Sequence, residues 1–404
     1  MLSVSEASAL IQRHVLTLPA ETVPLSDALG RVLRQSIRAD RDFPPFDRVA
    51  MDGIAIQYAA FATGQRTFAV AGIQRAGQPT QTLTDPLACI EAMTGAVLPG
   101  QTDAVIRYED VRIENGTATL QINHVEPGQS IHRQGTDRYA GDELLTPGTR
   151  LGPPEIAVAA SVGQYQLAVS ALPRIALIST GDELVGVQDT PLPHQIRQSN
   201  TVMLQATLRE MGVHASLHHL PDDETILNEA LAALLSDNDV LILSGGVSAG
   251  KADFVPDTLV RLGVRRVFHQ VAQRPGKPIW FGATGPTDAP TPEKVVFALP
   301  GNPVSTALCV QRYVLPWLRA SLGLPPEPPQ FAQLTEAVTF KPPLTYFLTV
   351  RLEHKPDGRL VAHPLPGSGS ADFANLLAVN AFLELPGAEQ DEFKVGEAFQ
   401  VYGW

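Results

Sequence analysis

The spacing of apolar positions changes character several times along the chain. The opening stretch MLSVSEASALIQRHVL carries a helical pattern with Ser3 or Ser5 as its cap. Residues 1 to about 38 then turn extended and place a second short helix at SDALGRVL. From 39 to about 129 the helical period disappears. Gly and Pro are frequent there, and TFAVAGI, AVIRYEDVRI and ATLQINHV alternate as half-buried strands do, predicting a small β-rich module. Residues 130 to 168 return to extended and turn chemistry (GDELLTPGTRLGPPEI) before a short apolar helix at IAVAASVGQ.

From Arg174 the pattern alternates between short apolar runs and helical segments. RIALIST, HASLHHL, DVLILSGG, VRRVFHQV, PIWFG and VVFALPG read as strands. Between them SNTVMLQATLREMG reads as a helix capped by Ser or Asn, and DFVPDTLVRLG as a further helix. In DDETILNEALAALLSDN, Ile226, Leu227, Ala230, Leu231, Leu234 and Leu235 fall on one stripe. STALCVQRYVLPWLRASLG closes the unit as a long helix. Strands and helices in alternation imply a doubly wound, mostly parallel α/β domain covered on both faces. SLGLPPEPPQ, with Pro325, Pro326, Pro328 and Pro329, reads as a linker, and residues 330–404 as a small β domain.

A chain of 404 residues exceeds one ordinary core, so two to four domains are expected. The formal charge of −12 opposes general nucleic-acid binding but leaves room for a small anion held by local Arg and Lys. Cys89 and Cys309 sit in apolar runs with no partner at metal-ligand spacing, so they read as buried thiols of a reducing compartment. The N-terminus lacks signal-peptide patterning and no apolar run is long enough to span a membrane, so a cytoplasmic location is expected.

Ligands of open α/β sheets bind beyond the carboxyl ends of the strands, which makes the residues after each run the candidates. They are Gly181, Asp182 and Glu183; Pro221, Asp222 and Asp223; 247–251 and Asp253; Gln273, Arg274, Pro275, Gly276, Lys277 and Pro278; and Leu299, Pro300, Gly301, Asn302 and Pro303. Carboxylates at one edge suit Mg²⁺, Gly245, Gly246 and Gly250 let backbone N–H groups approach an oxyanion, and Arg274 with Lys277 can neutralise a phosphate. Asp182 or Asp223 taken alone reads as a helix cap, a position that favours Asp, ahead of a site residue. The run Gly245 to Lys251 imitates a Walker A loop, but Ala252 stands where the metal-binding hydroxyl belongs, which argues against that device. Upstream, the loop at 43–53 (FPPFDRVAMDG) is rigid and acidic, and MTGAVLPG and HRQGTD are polar turns. The histidines are scattered, and His218 and His219 face opposite sides of a strand, so a His-metal site is not expected.

PPFDRVAMDG, MTGAVLPG, RQGTD, STGDEL, SGGVSAGKAD, RPGKP and LPGNPVS, in that order, resemble the MoeA family of molybdopterin molybdenumtransferases, and the chain is similar also to the E domain of gephyrin. The resemblance runs from about residue 3 to 404 and implies an L-shaped homodimer of four-domain subunits. It assigns 1–38 with 130–173 to domain I, 39–129 to a β-rich domain II inserted in it, 174–323 to a MogA-like domain III and 330–404 to a β-barrel domain IV. The implied reaction is Mg²⁺-dependent insertion of molybdate into adenylylated molybdopterin with release of AMP. By the same resemblance, Glu183, Asp222 and Asp253 hold Mg²⁺ or orient water. Gly245, Gly246 and Ser248 contact phosphate or AMP, Arg274 and Lys277 bind the anion, and Pro300 and Pro303 shape the wall. Asp52, Thr94, Arg133 and Asp137 complete the cleft from the partner subunit, and Ser370 contributes from domain IV.

The chain departs from the family pattern at Arg274, where Lys is usual, and at Lys251, often acidic. His194, Gln198, Thr349 and Asn375 stand where Gly, Asp, Arg and a second Ser are common. Two rival readings differ in what they require. A MogA-like adenylyltransferase would lack residues 1–170 and the barrel, and a gephyrin-like scaffold for partner peptides would carry a long linker. An adenylyltransferase that supplies the substrate is the expected protein partner, and preference between molybdate and tungstate is not encoded in any recognisable motif.

Overall fold

The computed structural model describes residues 1–247, 254–286, 291–387 and 389–404. Ser248, Lys251 and Asp253 therefore lie outside the described residues. The chain forms two compact units, one of residues 1–34, 148–152 and 166–404 and the other of residues 35–147 and 153–165.

In the larger unit a six-stranded sheet runs in the order Ala215–Leu220, Ile175–Thr180, Val240–Ser244, Val295–Leu299, Trp280–Ala283, Arg265–His269. Its first four strands are parallel, and only Trp280–Ala283 runs against the rest. Alternate side chains feed two cores. Ile175, Leu177, Ile242 and Phe297 meet the helix Asn200–Glu210 and the long C-terminal helix on one face. Ala176, Ile178, Leu241 and Leu243 meet Glu224–Asp237 and Val255–Arg261 on the other. Two-sided burial explains the continuous apolar runs, and the doubly wound reading holds.

Several local expectations change. SDALGRVL forms only a 3-10 turn, Leu25–Asp27, because Gly30 adopts φ +78° and the backbone then pairs outward, Leu33 N–H donating to Thr149 O. Ile226 leaves the expected stripe and is exposed, while Leu227, Leu231 and Leu235 are buried. Asp223 does cap Glu224–Asp237, accepting from the N–H groups of Thr225 and Ile226. The expected long helix is Pro303–Cys309 and Leu315–Leu322 joined by a π turn at Val310–Val314. Pro316 lacks an N–H and would crowd the carbonyl one turn back, and widening that turn accommodates it.

Beyond 330 the strands Thr345–His354, Leu360–Pro364, Gln330–Leu334, Ala398–Gly403 and Ala381–Leu385 close into a five-stranded barrel, since the last also pairs with the first. Its own core holds Leu348, Val350, Leu383 and Phe393. Among the described residues three sets of hydrogen bonds join it to the α/β part, beside the packing of Phe347 and Phe382 into that part's core. Gln273–Arg274 pairs in parallel with Thr345 and Tyr346. Ser370 accepts from the Asn302 side chain at 2.9 Å, and its carbonyl accepts from Val304 N–H. Arg312 donates to Glu384 at 3.1 Å and to Ser8 at 2.8 Å, between the rings of Tyr313 and Tyr402.

The smaller unit contains a six-stranded sheet in the order Ala104–Arg107, Gly53–Ile56, Ala88–Ala92, Thr67–Gln74, Thr117–Leu120, Val111–Glu114. Ile54 and Ile56 enter one core and Ala55 the other. Burial, reinforced by Glu91, pushes the Cys89 thiol up to about 12, and burial also raises the fully enclosed Cys309, so neither is a nucleophile at neutral pH. A Cβ on Gly53 would lie 1.9 Å from the Ile106 carbonyl oxygen, so this glycine permits the sheet pairing itself. Gly53→Ala is expected to lower stability by at least about 2 kcal/mol in chemical denaturation, through forced separation of these two strands.

Candidate active site

Five strands point their carboxyl ends toward one edge, and the loops that follow them line a cavity of about 990 Å³. Its chemistry is graded along the edge. Glu183 and Asp222 line it where Ile175–Thr180 and Ala215–Leu220 end. Gly245 and Gly246 follow the next strand, and Pro300 and Pro303 the one after. Arg274 and Lys277 sit in the turn joining Arg265–His269 to Trp280–Ala283, at the far side of the sheet. Ser370 closes the set from the barrel.

The local geometry explains the residue types. Gly245 and Gly246 have φ of +106° and +67°, and a Cβ on either would press within 2.9 Å of the Thr180 side-chain oxygen. Gly276, at φ +84°, packs where a Cβ would come 3.0 Å from Cys309 Sγ. Buried Gln273 anchors the same turn by donating to the Pro275 carbonyl at 3.1 Å, while its oxygen accepts from the Tyr313 hydroxyl. Asp182 is no helix cap; its carboxylate accepts from Asp222 N–H at 3.1 Å and so links two loops on the acidic side.

Asn200 was expected as a cap, but the Ser199–Asn200 helix start has no side-chain cap bond. The Asn200 amide instead donates to Ser244 Oγ at 2.9 Å and to the Gly301 carbonyl at 2.7 Å, stitching together the loops after two strands. Nothing in the sequence distinguishes this task from capping. Tyr346 also lines the cavity, and no local pattern could have found it, because it arrives through the long-range pairing with Arg274. Thr349 and Asn375, both departures from the family pattern, belong to one arrangement. Thr349 Oγ1 donates to the Leu365 carbonyl at 2.6 Å, and the Asn375 amide donates to that carbonyl at 2.9 Å.

Oxygen donors in this position suit a hard cation, of which Mg²⁺ takes one or two carboxylates together with waters and substrate oxygens. Glu183 and Asp222 fit that pattern. Among the described residues there is no cluster of three His, Cys, Asp or Glu side chains able to enclose a metal.

The remaining expected residues form a separate cluster in the smaller unit. Arg133 reaches Asp47 at 2.5 Å, and Asp47 also accepts from Gln134 N–H at 2.9 Å. Asp137 N–H donates to the Phe43 carbonyl at 2.8 Å. Thr94 N–H donates to Asp52 at 2.6 Å. The three signature loops around 43–53, 93–100 and 132–137 are thereby fastened to one another. His132 and Arg48 face each other across a strand pair. Arginine can only donate, so His132 Nδ1 accepts from Arg48 at 2.9 Å and Nε2 is left to donate to Asp137 at 3.0 Å. Burial opposes ionisation of Asp47, yet the Gln134 N–H and the Arg133 guanidinium outweigh it and hold the carboxyl below its usual range. The Thr94 backbone and side chain do the same for exposed Asp52.

Family models described as the MoeA N-terminal region (domain I and II), a probable molybdopterin binding domain, and the MoeA C-terminal region (domain IV) match residues 2–163, 176–320 and 332–404. A Synechocystis protein named molybdopterin molybdenumtransferase is 40% identical over 406 residues, covering 100% of both chains. A Bacillus subtilis protein of the same name is 32% identical, covering 94% of this chain and 89% of its own. The crystal structure of a molybdopterin biosynthesis MoeA protein from Pyrococcus horikoshii superposes with a TM-score of 0.82 at 28% identity, covering 100% of each chain.

Two outcomes follow from the geometry. Among the described residues buried Thr180 Oγ1 has no hydrogen-bond partner, so Thr180→Val is expected to leave stability unchanged or raise it by about 1 kcal/mol in thermal unfolding. Asp52 has a depressed pKa, so its link to Thr94 is fully formed above the ordinary carboxylate pKa and is lost as pH falls through the lowered value. Thr94→Val removes the hydroxyl but keeps the N–H donor, so the Asp52 titration, followed by carboxyl-carbon NMR, is expected to rise only part of the way and to stay below the ordinary carboxylate range.

Proposed function

The chain belongs to the MoeA family, and on that premise we propose that it is a molybdopterin molybdenumtransferase acting in molybdenum cofactor biosynthesis. The substrate proposed is adenylylated molybdopterin, which receives molybdate as AMP leaves. The observation that carries this reading is the grading of the cavity edge, with carboxylates at one side, a two-glycine turn in the middle and cations at the other.

The grading suits a phosphoanhydride. Gly245 and Gly246 let the main chain approach phosphate oxygens, and Arg274 and Lys277 offset the charge of an oxyanion. Glu183 and Asp222, with Asp253 from outside the described residues, would hold Mg²⁺. When bound, Mg²⁺ withdraws charge from the phosphate being released. Arg274 and Lys277 are the residues proposed to bind the substrate's anionic group, and Ser248 to meet phosphate.

The oligomer proposed is a homodimer in which Asp52, Thr94, Arg133 and Asp137 complete the partner's cavity. The partition into domains I to IV at the boundaries expected from the sequence is part of the same proposal. Among the described residues no helix is long and apolar enough to cross a membrane, and the location proposed is the cytoplasm, beside the adenylyltransferase that makes the substrate.

Purified protein incubated with adenylylated molybdopterin, molybdate and Mg²⁺ is expected to release AMP and form the molybdenum cofactor. Glu183→Gln is expected to slow AMP release on the order of a hundredfold without altering the melting curve. An unimpaired Glu183→Gln enzyme would sink the role given to that carboxylate.

A further inference from the structure

Tyr346 occupies an unusual position for a barrel residue. It is the register partner of Arg274 in the two-residue parallel ladder that joins the barrel to the cation-bearing turn. Both residues line the cavity. Residues directly paired across neighbouring strands project from the same face, so ring and guanidinium stand side by side. The Tyr346 ring is stacked on Phe340, with centroids 4.3 Å apart and planes inclined by 13°. Tyr346 packs on the barrel core beside Phe340, and among the described residues Tyr346, not Phe340, lines the cavity. The Arg274 guanidinium lies 6.0 Å from the Phe340 centroid, at the border of the same aromatic pair. From the same strand as Tyr346, Phe347, whose ring sits in the α/β core, and Thr349 also line the cavity, and the other barrel stretch in the lining, 366–371, carries only small side chains besides Pro366.

The geometry points to Tyr346 as a binding platform for a flat heteroaromatic ring, set beside the anion site at Arg274. A ring already braced from behind loses little freedom when a second ring stacks on it, and stacking tolerates any heterocycle with a π face. A ligand carrying a planar ring a short distance from a phosphate would engage both residues together. The substrate proposed above contains two such rings, adenine and pterin, and the assignment rests on that reading of the cavity.

Titration calorimetry with AMP, 6-carboxypterin and ribose 5-phosphate tests it on the full-length protein. Tyr346→Leu is expected to weaken the ring-bearing probe about tenfold and to leave ribose 5-phosphate unchanged. Tyr346→Phe is expected to bind within about twofold of wild type, which a loss caused by barrel distortion would not allow. A loss confined to AMP assigns the platform to adenine, a loss confined to 6-carboxypterin assigns it to the pterin, and a loss for both leaves it as a general ring site. Wild-type affinity of Tyr346→Leu for both ring probes, or an equal loss for ribose 5-phosphate, overturns the inference while AMP release by the wild-type enzyme still supports the transferase. Failure of the wild-type protein both to bind the probes and to release AMP removes the two proposals together.

Discussion

Burial of both faces of the strands Ile175–Thr180, Val240–Ser244 and Val295–Leu299 is the constraint from which the cavity follows. Each strand is enclosed along its whole length, and the polar side chains of these strands, Ser179, Thr180 and Ser244, stand only at their carboxyl ends. Parallel pairing in strict register then brings Thr180, Ser244 and Leu299 to one edge, and everything reactive has to be supplied by the loops that leave it. The two helical layers make the carboxyl edge the place where acids, glycines and cations can converge from segments nearly a hundred residues apart.

Much of this was legible because each relevant pattern is local. The apolar runs announce buried strands, and the residue types that follow them already carry the acid, glycine and cation sequence seen along the edge. Asp223 was readable as a cap for the same reason, since its partners lie two and three residues ahead. What escaped depends on partners far away in the chain. Asn200 serves Ser244 and Gly301, and its type and position suit a cap equally well. Tyr346 belongs to a barrel strand whose alternation reveals nothing about Arg274. The π turn at Val310–Val314 was hidden because apolar spacing alone does not register a single widened turn, although Pro316 is its local cause.

The smaller unit illustrates a different division of labour. Gly53, read as part of a signature loop, is required by the sheet, where it allows Gly53–Ile56 to lie against Ala104–Arg107. Its neighbour Asp52 is exposed and tied to Thr94. Adjacent letters of one motif thus answer to separate demands, one to backbone approach and the other to an ionised carboxylate held ready at a loop. The Arg48, His132 and Asp137 chain adds orientation, because a residue that can only donate fixes which imidazole nitrogen faces the acid.

The barrel's mounting has a mechanical consequence. A body pinned at one point can swivel, and one pinned at two can still rock about the line between them. The ladder at Arg274, the Ser370 contacts and the Arg312–Glu384 pair give this barrel three anchorages. Rocking it would have to break one of them, so the spacing between the aromatic wall and the glycine turn is set before any ligand arrives.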